Sequence, residues 1–310
     1  MSPEDKLLSQ WLDGLKGRED LLVGPGDDCA VVRDGRRIGL LKTDCIVENV
    51  HFLRGHDPER VARKALCRPL SDIAAMGGVP DFALITILTP PELNPGYWSD
   101  FYRGLRRAAA GFGVTIAGGE LSRQPGGIAV SVAMTGSMRG AKPVLRSGGS
   151  PGDMLFVTGV LGGSLGGHHL DFVPRLAEGQ WLAGRGIASA MMDLSDGLAS
   201  DLPRLARASR CGFRVGEVPA RSGVSREAAL SDGEDYELLF AAPPLLARRL
   251  SQWPFPKTPL TCIGELAKPG VEPQDWPGGW DHFSVAPRPS ARQLTDVQPA
   301  PRRRTKPRPA

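Results

Sequence analysis

No stretch of this chain stays apolar for the 18 or so residues that a membrane-crossing helix needs, so a membrane span is not expected. Cysteine is scarce. Five residues (Cys29, Cys45, Cys67, Cys211, Cys262) are scattered along 310 positions, and no two form a CxxC pair. That usage argues against a disulfide framework or a cysteine-bound zinc and fits reduced thiols in the cytoplasm. The opening MSPEDKLLSQWL carries acids and lacks the apolar core of a secretory signal, so export is not expected. There is no GxxxxGK[ST], no GxGxxG at a strand–helix junction and no protein-kinase motif set, which removes three common routes to nucleotide binding. No short-period repeat is present.

What remains is an ordinary globular composition, 41% hydrophobic and 23% charged, in a chain long enough for two domains with their own cores. The net charge of +4 is unevenly placed. Residues 286–310 hold seven Lys/Arg, one acid and six prolines, and without them the chain has 31 basic and 33 acidic residues. This tail is expected to be disordered. Its charge allows a tether to nucleic acid or another acidic surface, although a plain solvated tail is the favoured reading.

Hydrophobic spacing predicts an amphipathic helix over 4–16, with Leu7, Leu8, Trp11, Leu12 and Leu15 on one side. Further helices are predicted over 58–76, 95–112 and 171–184, and another after AMMDLSDG, where Ser200 or Asp201 is expected to cap it and Pro203 to sit in its first turn. Pro69 is expected to kink or split the second helix. Strands are predicted in RIGLLKTDCIVENVHF, with polar residues at its end, and in FALITILTP, VTIAGGE, GIAVSVAMTGSM, MLFVTG, GEDYELLFAA and TCIGEL. Alternation of this kind indicates an α/β or α+β arrangement. A boundary is expected in RGAKPVLRSGGSPGD, giving units at 1–138 and 139–285, then the tail.

Acidic residues recur at strand ends and beside glycines: Asp27-Asp28, Asp44, Asp72, Glu120, and Asp193 with Asp196. Any one of them alone is more often a turn residue or a helix cap. As a set they flank apolar segments, where unpaired carboxylates are costly unless they share a cation. Hard oxygen donors without a His/Cys cluster favour Mg2+ over Zn2+, and several carboxylates suggest several ions. Metal clamps on transferring phosphoryl groups use such sets. Glycines lie beside the acids (Gly26, Gly118-Gly119, Gly162-Gly163, Gly197), where backbone N–H groups could approach phosphate; tight turns are the commoner reason.

The blocks GDDCAVV, KTDCIVENVHF, KALCRPLSDIAAMGG, AGGE, RSGGSPGD, VTG, DLSDGLASDL and SDGEDYELLF occur in the order found in the thiamine-monophosphate kinase family, across about residues 20–285. The chain resembles that family, within the wider superfamily of aminoimidazole-ribonucleotide synthetase, selenophosphate synthetase and a hydrogenase-maturation protein. The resemblance implies a two-domain fold of the aminoimidazole-ribonucleotide synthetase type, with an N-terminal sheet that pairs across a homodimer and a C-terminal α/β domain. It implies ATP-dependent phosphorylation of thiamine monophosphate to thiamine diphosphate. By matching position, Asp28, Thr43, Asp44, Asp72, Glu120, Asp193 and Asp196 are expected to hold Mg2+. Asp27 is a supporting acid. Gly118, Gly119, Arg146 and Ser195 are expected near ATP, and His51, Glu234 and Trp280 near thiamine monophosphate.

Taken alone, His51 reads as a packed strand-end histidine, Trp280 as core or surface cover, Arg146 as a linker charge and Ser195 as a helix-entry residue. The family pattern is also broken in places. Glu120 stands where Asp is usual, and Leu121-Ser122 replace hydroxyl residues. Lys42 replaces a small hydroxyl residue and is placed to neutralise phosphate or displace a metal ligand. Pro69 enters a helix, and Asp232 replaces a glycine. A sister ATP-dependent synthetase and a catalytically degenerate nucleotide binder therefore stay open as alternatives.

Overall fold

In the sequence RIGLLKTDCIV, alternate residues Leu40, Lys42, Asp44 and Ile46 turn to one side of a strand while Leu41, Thr43, Cys45 and Val47 turn to the other. One face of the resulting sheet thus carries both core and charge. The computed structural model describes residues 3–15, 17–92 and 94–279. Trp280 and the tail at 286–310 lie outside the described residues.

The first sheet comprises β1 (Leu21–Val23), β2 (Ala30–Asp34), β3 (Arg37–Val47), β4 (Val79–Thr89), β5 (Thr115–Arg123) and β6 (Ala129–Ser137), in spatial order β1-β2-β3-β6-β4-β5. Neighbours are antiparallel except for the β4–β5 pair. Helix α1 (Pro3–Leu12) precedes the sheet, and α2 (Pro58–Ala75) and α3 (Pro95–Phe112) cover its inner face. Val31, Leu40, Leu66, Leu70, Ile73, Ile85, Phe101 and Val130 form the core there. The stripe expected on the first helix stays largely outside it, with Trp11 67% and Leu8 43% exposed.

Helix α2 starts on the Asp57 cap, whose carboxylate accepts from Glu59 N at 2.9 Å, with Pro58 in the first turn. The expected break at Pro69 does not occur: the helix is one element from Pro58 to Ala75. A proline inside a helix costs about 3 kcal/mol. The burial of Leu66, Cys67, Leu70 and Ile73 around it offsets that loss.

The second sheet comprises β7 (Met154–Thr158), β8 (Ala190–Asp193), β9 (Gly212–Val215), β10 (Leu238–Ala242) and β11 (Leu260–Ala267), ordered β8-β10-β7-β11-β9 and antiparallel throughout. The helices of this half are α4 (His168–Asp171), α5 (Leu176–Gly184), α6 (Leu198–Ala208), α7 (Arg226–Ser231) and α8 (Pro244–Ala247). Both faces are covered. Leu155, Val157, Met192, Leu202, Leu205 and Leu239 lie on the α6 side. Phe156 and Phe240, stacked at 5.3 Å, lie with Leu182 and Met191 on the α5 side.

Three expectations are corrected here. The single helix expected over 171–184 is interrupted between α4 and α5 at Pro174, whose ring and missing N–H oppose a continuous turn. The helix after the SDG turn begins at Leu198, so Pro203 lies inside it, and Gly197 occupies the cap with no side-chain hydrogen bond. The strand expected at GEDYELLFAA begins only at Leu238, because Glu234 and Tyr236 take left-handed backbone angles (φ 55° and 52°).

Helix α2 joins the two halves. Gly179 of α5 lies so close to it that a Cβ there would meet Ala74 O at 2.0 Å. Arg60 pairs with Asp171, and the fully buried Lys64 donates to both carboxylate oxygens of Glu234 at 2.9 and 2.8 Å and to His51 O at 2.6 Å. All five cysteines are free thiols. No helix among the described residues is long and apolar enough to cross a membrane.

Removing one member of a buried ion pair leaves the other charge without its counter-ion. Glu234→Ala is expected to lower unfolding free energy by roughly 3–5 kcal/mol in urea denaturation. The double change Lys64→Met, Glu234→Leu is expected to recover most of that loss. Equal destabilisation by the single and the double change would refute the pairing.

Candidate active site

Five segments converge on a cavity of about 800 Å³ between the two halves. The turn before β2 brings Gly26 and Asp27, and β3 brings Lys42, Thr43 and Asp44. Helix α2 adds Arg68 and Asp72, the end of β8 adds Asp193, Ser195 and Asp196, and α6 adds Arg204 and Arg207. Arg146 and Tyr236 complete the walls, and Leu8 and Leu12 of α1 border the opening.

Local sequence explains each placement. Asp193 ends β8, paired opposite Leu238, and the chain then turns through Ser195 and Asp196 into α6. Gly197 (φ 89°) permits that turn, because a Cβ would meet Leu230 O at 2.8 Å. The GEDYEL loop is fastened to the same turn: Glu234 N donates to Ser195 O at 2.7 Å and Tyr236 N to Leu194 O at 2.8 Å. Its left-handed residues therefore hold Tyr236 at the cavity, where the ring stacks on Phe172 at 3.9 Å.

At the floor, one oxygen each from Asp28, Asp72 and Asp193 lies within 4.8 Å of the others, and all three residues are buried. Asp28 Oδ1 accepts from Arg146 Nε at 3.1 Å and Nη2 at 2.5 Å, while its buried Oδ2 has no hydrogen-bond partner. Asp193 Oδ2 accepts from Ser71 Oγ at 2.6 Å, and Asp72 Oδ1 pairs with Lys42 Nζ at 2.6 Å. Arg68 lies 3.7 Å from Asp44, and Arg204 bridges Asp196 and the fully buried Asp201.

Crowding shifts the acids. Burial, then the Asp28 charge, raises Asp193 to about 7 and Asp27 to about 6. Burial also drives Asp72 up, against Lys42 and with the help of Asp44. Asp44 goes the other way: burial opposes its ionisation, but Lys42 and Arg68 more than offset it.

A divalent cation suits this floor. Oxygens on opposite sides of a magnesium ion stand roughly 4.2 Å apart, so small side-chain rotations close the triad on one ion. The orphaned Asp28 Oδ2 is a buried anionic acceptor of the kind such an ion satisfies.

The structure brings together Asp28, Asp44, Asp72, Asp193, Asp196, Lys42, Arg146 and Ser195. Thr43 borders the cavity but turns its hydroxyl to Ser131, 3.5 Å away on the outer face. Gly118, Gly119 and Glu120 do not join the cluster. They lie on edge strand β5, and Asp44, Val132, Ile85 and Gly119 are successive partners across the sheet, a span of roughly 14 Å at strand spacing. Glu120 is exposed and accepts from Ser122 Oγ at 3.3 Å. His51 is buried, its Nδ1 accepting from Val47 N, and Glu234 is engaged with Lys64; neither lines the cavity. The Gly162 and Gly163 amides are taken by Asp235 and Asp232, so they are closed to phosphate, and Asp232 has a structural use. Sequence reading missed Arg68, Ser71, Asp201, Arg204, Arg207 and Tyr236. Asp201 and Arg204 could have been found by their i,i+3 spacing after SDG.

Asp193 illustrates the sign of these shifts. Its folded pKa exceeds the unfolded value, so its contribution to stability is full at low pH and is lost as pH rises through about 7. Without divalent ions, Asp193→Asn is expected to melt several degrees above the wild type at pH 8 and level with it at pH 5. Added Mg2+ is expected to reverse the order at pH 8. Scanning calorimetry reads all three comparisons, and equal melting at pH 8 without ions would contradict the assignment.

The family model of the AIR synthase related protein, N-terminal domain, matches residues 26–138. The thiamine-monophosphate kinase of Salmonella typhimurium is 34% identical, over 91% of this chain and 98% of its own length. That of Aquifex aeolicus is 32% identical, over 83% and 92%. The solved structure of AaThiL complexed with AMPPCP and TMP is similar at a TM-score of 0.77 and 30% identity, covering 90% of this chain and 96% of that one. A HypE–HypF complex shares the fold at a TM-score of 0.69 and 16% identity, over 88% and 95%. With its acid-floored cavity and this likeness over nine-tenths of its length, the chain belongs to the thiamine-monophosphate kinase family.

Proposed function

We propose that this chain transfers the γ-phosphoryl group of ATP to the phosphate of thiamine monophosphate, giving ADP and thiamine diphosphate. The observation that carries the reading is the buried Asp28–Asp72–Asp193 floor with its orphaned oxygen, in a chain of this family. The bond between the γ-phosphorus and the β–γ bridging oxygen breaks, and one forms from an oxygen of the acceptor phosphate.

That acceptor is already anionic near neutral pH, so no side chain is needed as a general base. The difficulty is bringing two anions together in line. Magnesium, held by Asp28, Asp72 and Asp193 with Asp44 and Asp196 nearby, would supply charge neutralisation on the phosphates. The chain adds its own cations. Arg146 is fixed by Asp28 and by its backbone N–H on Asp27, while Arg68, Arg204 and Arg207 line the cavity walls. Lys42 sets positive charge at the floor, and Ser195, which lines the cavity, would sit beside the nucleotide. His51 and Glu234 act on thiamine monophosphate through the loop they brace, and Trp280 is a further substrate contact by resemblance.

The working unit is a homodimer of chains with bodies at 1–138 and 139–285 and a basic tail. Support comes from the outer face of the first sheet, where Leu41, Phe82 and Leu84 are 45%, 53% and 52% exposed beside a cross-strand row of Cys45, Ser131, Thr86 and Glu120. Pairing through that face would bring a partner's Gly118-Gly119-Glu120 strand toward the cleft. Leu84→Asp is expected to convert the protein to monomers in light scattering; an unchanged mass would remove this face from the interface.

The reaction itself is tested by thiamine diphosphate formation from ATP, Mg2+ and thiamine monophosphate. Asp44→Asn is expected to lower turnover by about 100-fold or more. ATP binding with no product in the unaltered chain would instead favour a degenerate binder. Label retained on the protein after γ-labelled ATP would argue against direct transfer.

A further inference from the structure

A divalent ion at Asp72 would have to approach its oxygens to about 2.0–2.6 Å. One of those oxygens is already taken: Lys42 Nζ lies 2.6 Å from Asp72 Oδ1. The ammonium and a metal ion cannot share that position. Nor is Lys42 a surface side chain that happens to reach inward. It lies in the middle of β3, paired with Met134 and flanked on the same face by Leu40 and Asp44, and its side chain is only 21% exposed.

The other acids divide between fixed cations and open oxygens. Asp44 faces Arg68, whose guanidinium also donates to Cys45 O at 3.2 Å. Asp28 gives Oδ1 to Arg146 and leaves Oδ2 buried and unpartnered. Asp193 gives Oδ2 to the Ser71 hydroxyl, a neutral donor, and forms no direct ion pair among the described residues. The open oxygens are therefore on the Asp28–Asp193 side of the floor, where Arg146 occupies one Asp28 oxygen and leaves the other bare, while the Asp72–Asp44 side is served by Lys42 and Arg68.

We propose that the Lys42 ammonium is a resident cation of the floor, occupying the position at Asp72 Oδ1 that a second divalent ion would otherwise take, so that the ligand-free cleft holds a single divalent ion, on the Asp28–Asp193 side, which Asp72 can reach only with its other oxygen. The inference concerns the same site as the kinase reading and rests on it for the identity of the ion. Its consequence is specific: the strand brings one charge in covalent form, and ion loading in the resting state is correspondingly lower. Lys42 is a positioning residue for Asp72 as well as a source of charge.

The test counts ions without turnover. The full-length chain, stripped with chelator, is titrated with Mn2+ at pH 7.5, and free Mn2+ is read from its electron paramagnetic resonance signal. The unaltered chain is expected to bind a single tight ion. Lys42→Ser is expected to gain one more, and Lys42→Arg, which keeps the charge, to match the unaltered chain. Should Lys42→Ser fail to fold, Lys42→Gln keeps most of the stem and carries the same test. An equal count in the unaltered chain and the neutral variant overturns the proposal, as does more than one tight ion in the unaltered chain. A gain of one ion in a protein that forms no thiamine diphosphate would leave the assignment standing and sink the kinase reading. Product with unchanged counts would do the reverse.

Discussion

Five acidic residues of the cleft, drawn from four separate segments, meet between the two halves of the chain, and their mutual repulsion in a poorly solvated space governs what surrounds them. Each has a distinct compensator. Lys42 serves Asp72, Arg68 serves Asp44, Arg146 serves Asp28, and Arg204 serves Asp196 together with Asp201. Of these five, Asp193 is the one held by a neutral side chain, Ser71, and Asp28 the one with a buried oxygen that has no hydrogen-bond partner. The floor is thus most incomplete where phosphate-bound cations are useful, and charge there costs stability that a ligand can return.

Helix α2 makes this arrangement possible. It supplies Asp72, Ser71 and Arg68 to the cavity, Lys64 to the buried pair with Glu234, and Ala74 to the close approach of α5. One rigid element therefore sets the acid floor and ties together the halves that flank it. The GEDYEL loop answers from the other side: Glu234 is anchored on Lys64, its neighbour Tyr236 reaches the cavity, and both are fastened to the Leu194–Ser195 turn. Binding between the halves then acts on elements that are already coupled, without a separate relay.

The outer face of the first sheet obeys a different constraint. Its strands alternate, so the residues that complement the inward Lys42 and Asp44 are the outward Leu41, Thr43 and Cys45. A second copy covering this face would both bury its leucines and phenylalanine and contribute its edge strand. The AGGE block lies three strands away from the acids of its own protomer, on the edge strand that such a second copy would bring with it.

Several things were readable from the chain itself. The acid set, the two α/β halves and the family follow from motifs whose order and spacing are local and dense, because glycine turns and strand-end carboxylates are specified within a few residues. The sequence also marked Lys42, Glu120 and Asp232 as departures. It did not reveal what those residues meet, since side-chain partners 30, 69 or 170 positions apart (Lys42–Asp72, Gly163–Asp232, Lys64–Glu234) exist only once the sheets have packed. Helix breaks were misjudged for the same reason: Pro69 is overridden by burial within α2, and GEDYEL is bent out of strand geometry by its bonds to a turn some 40 residues earlier. Sequence by itself marked Asp28, Asp44, Asp72, Asp193 and Asp196 together with Glu120; the tertiary structure decided that the first five meet, that Glu120 stays apart on β5, and which cation each acid keeps, because that depends on distance through the fold and not along the chain.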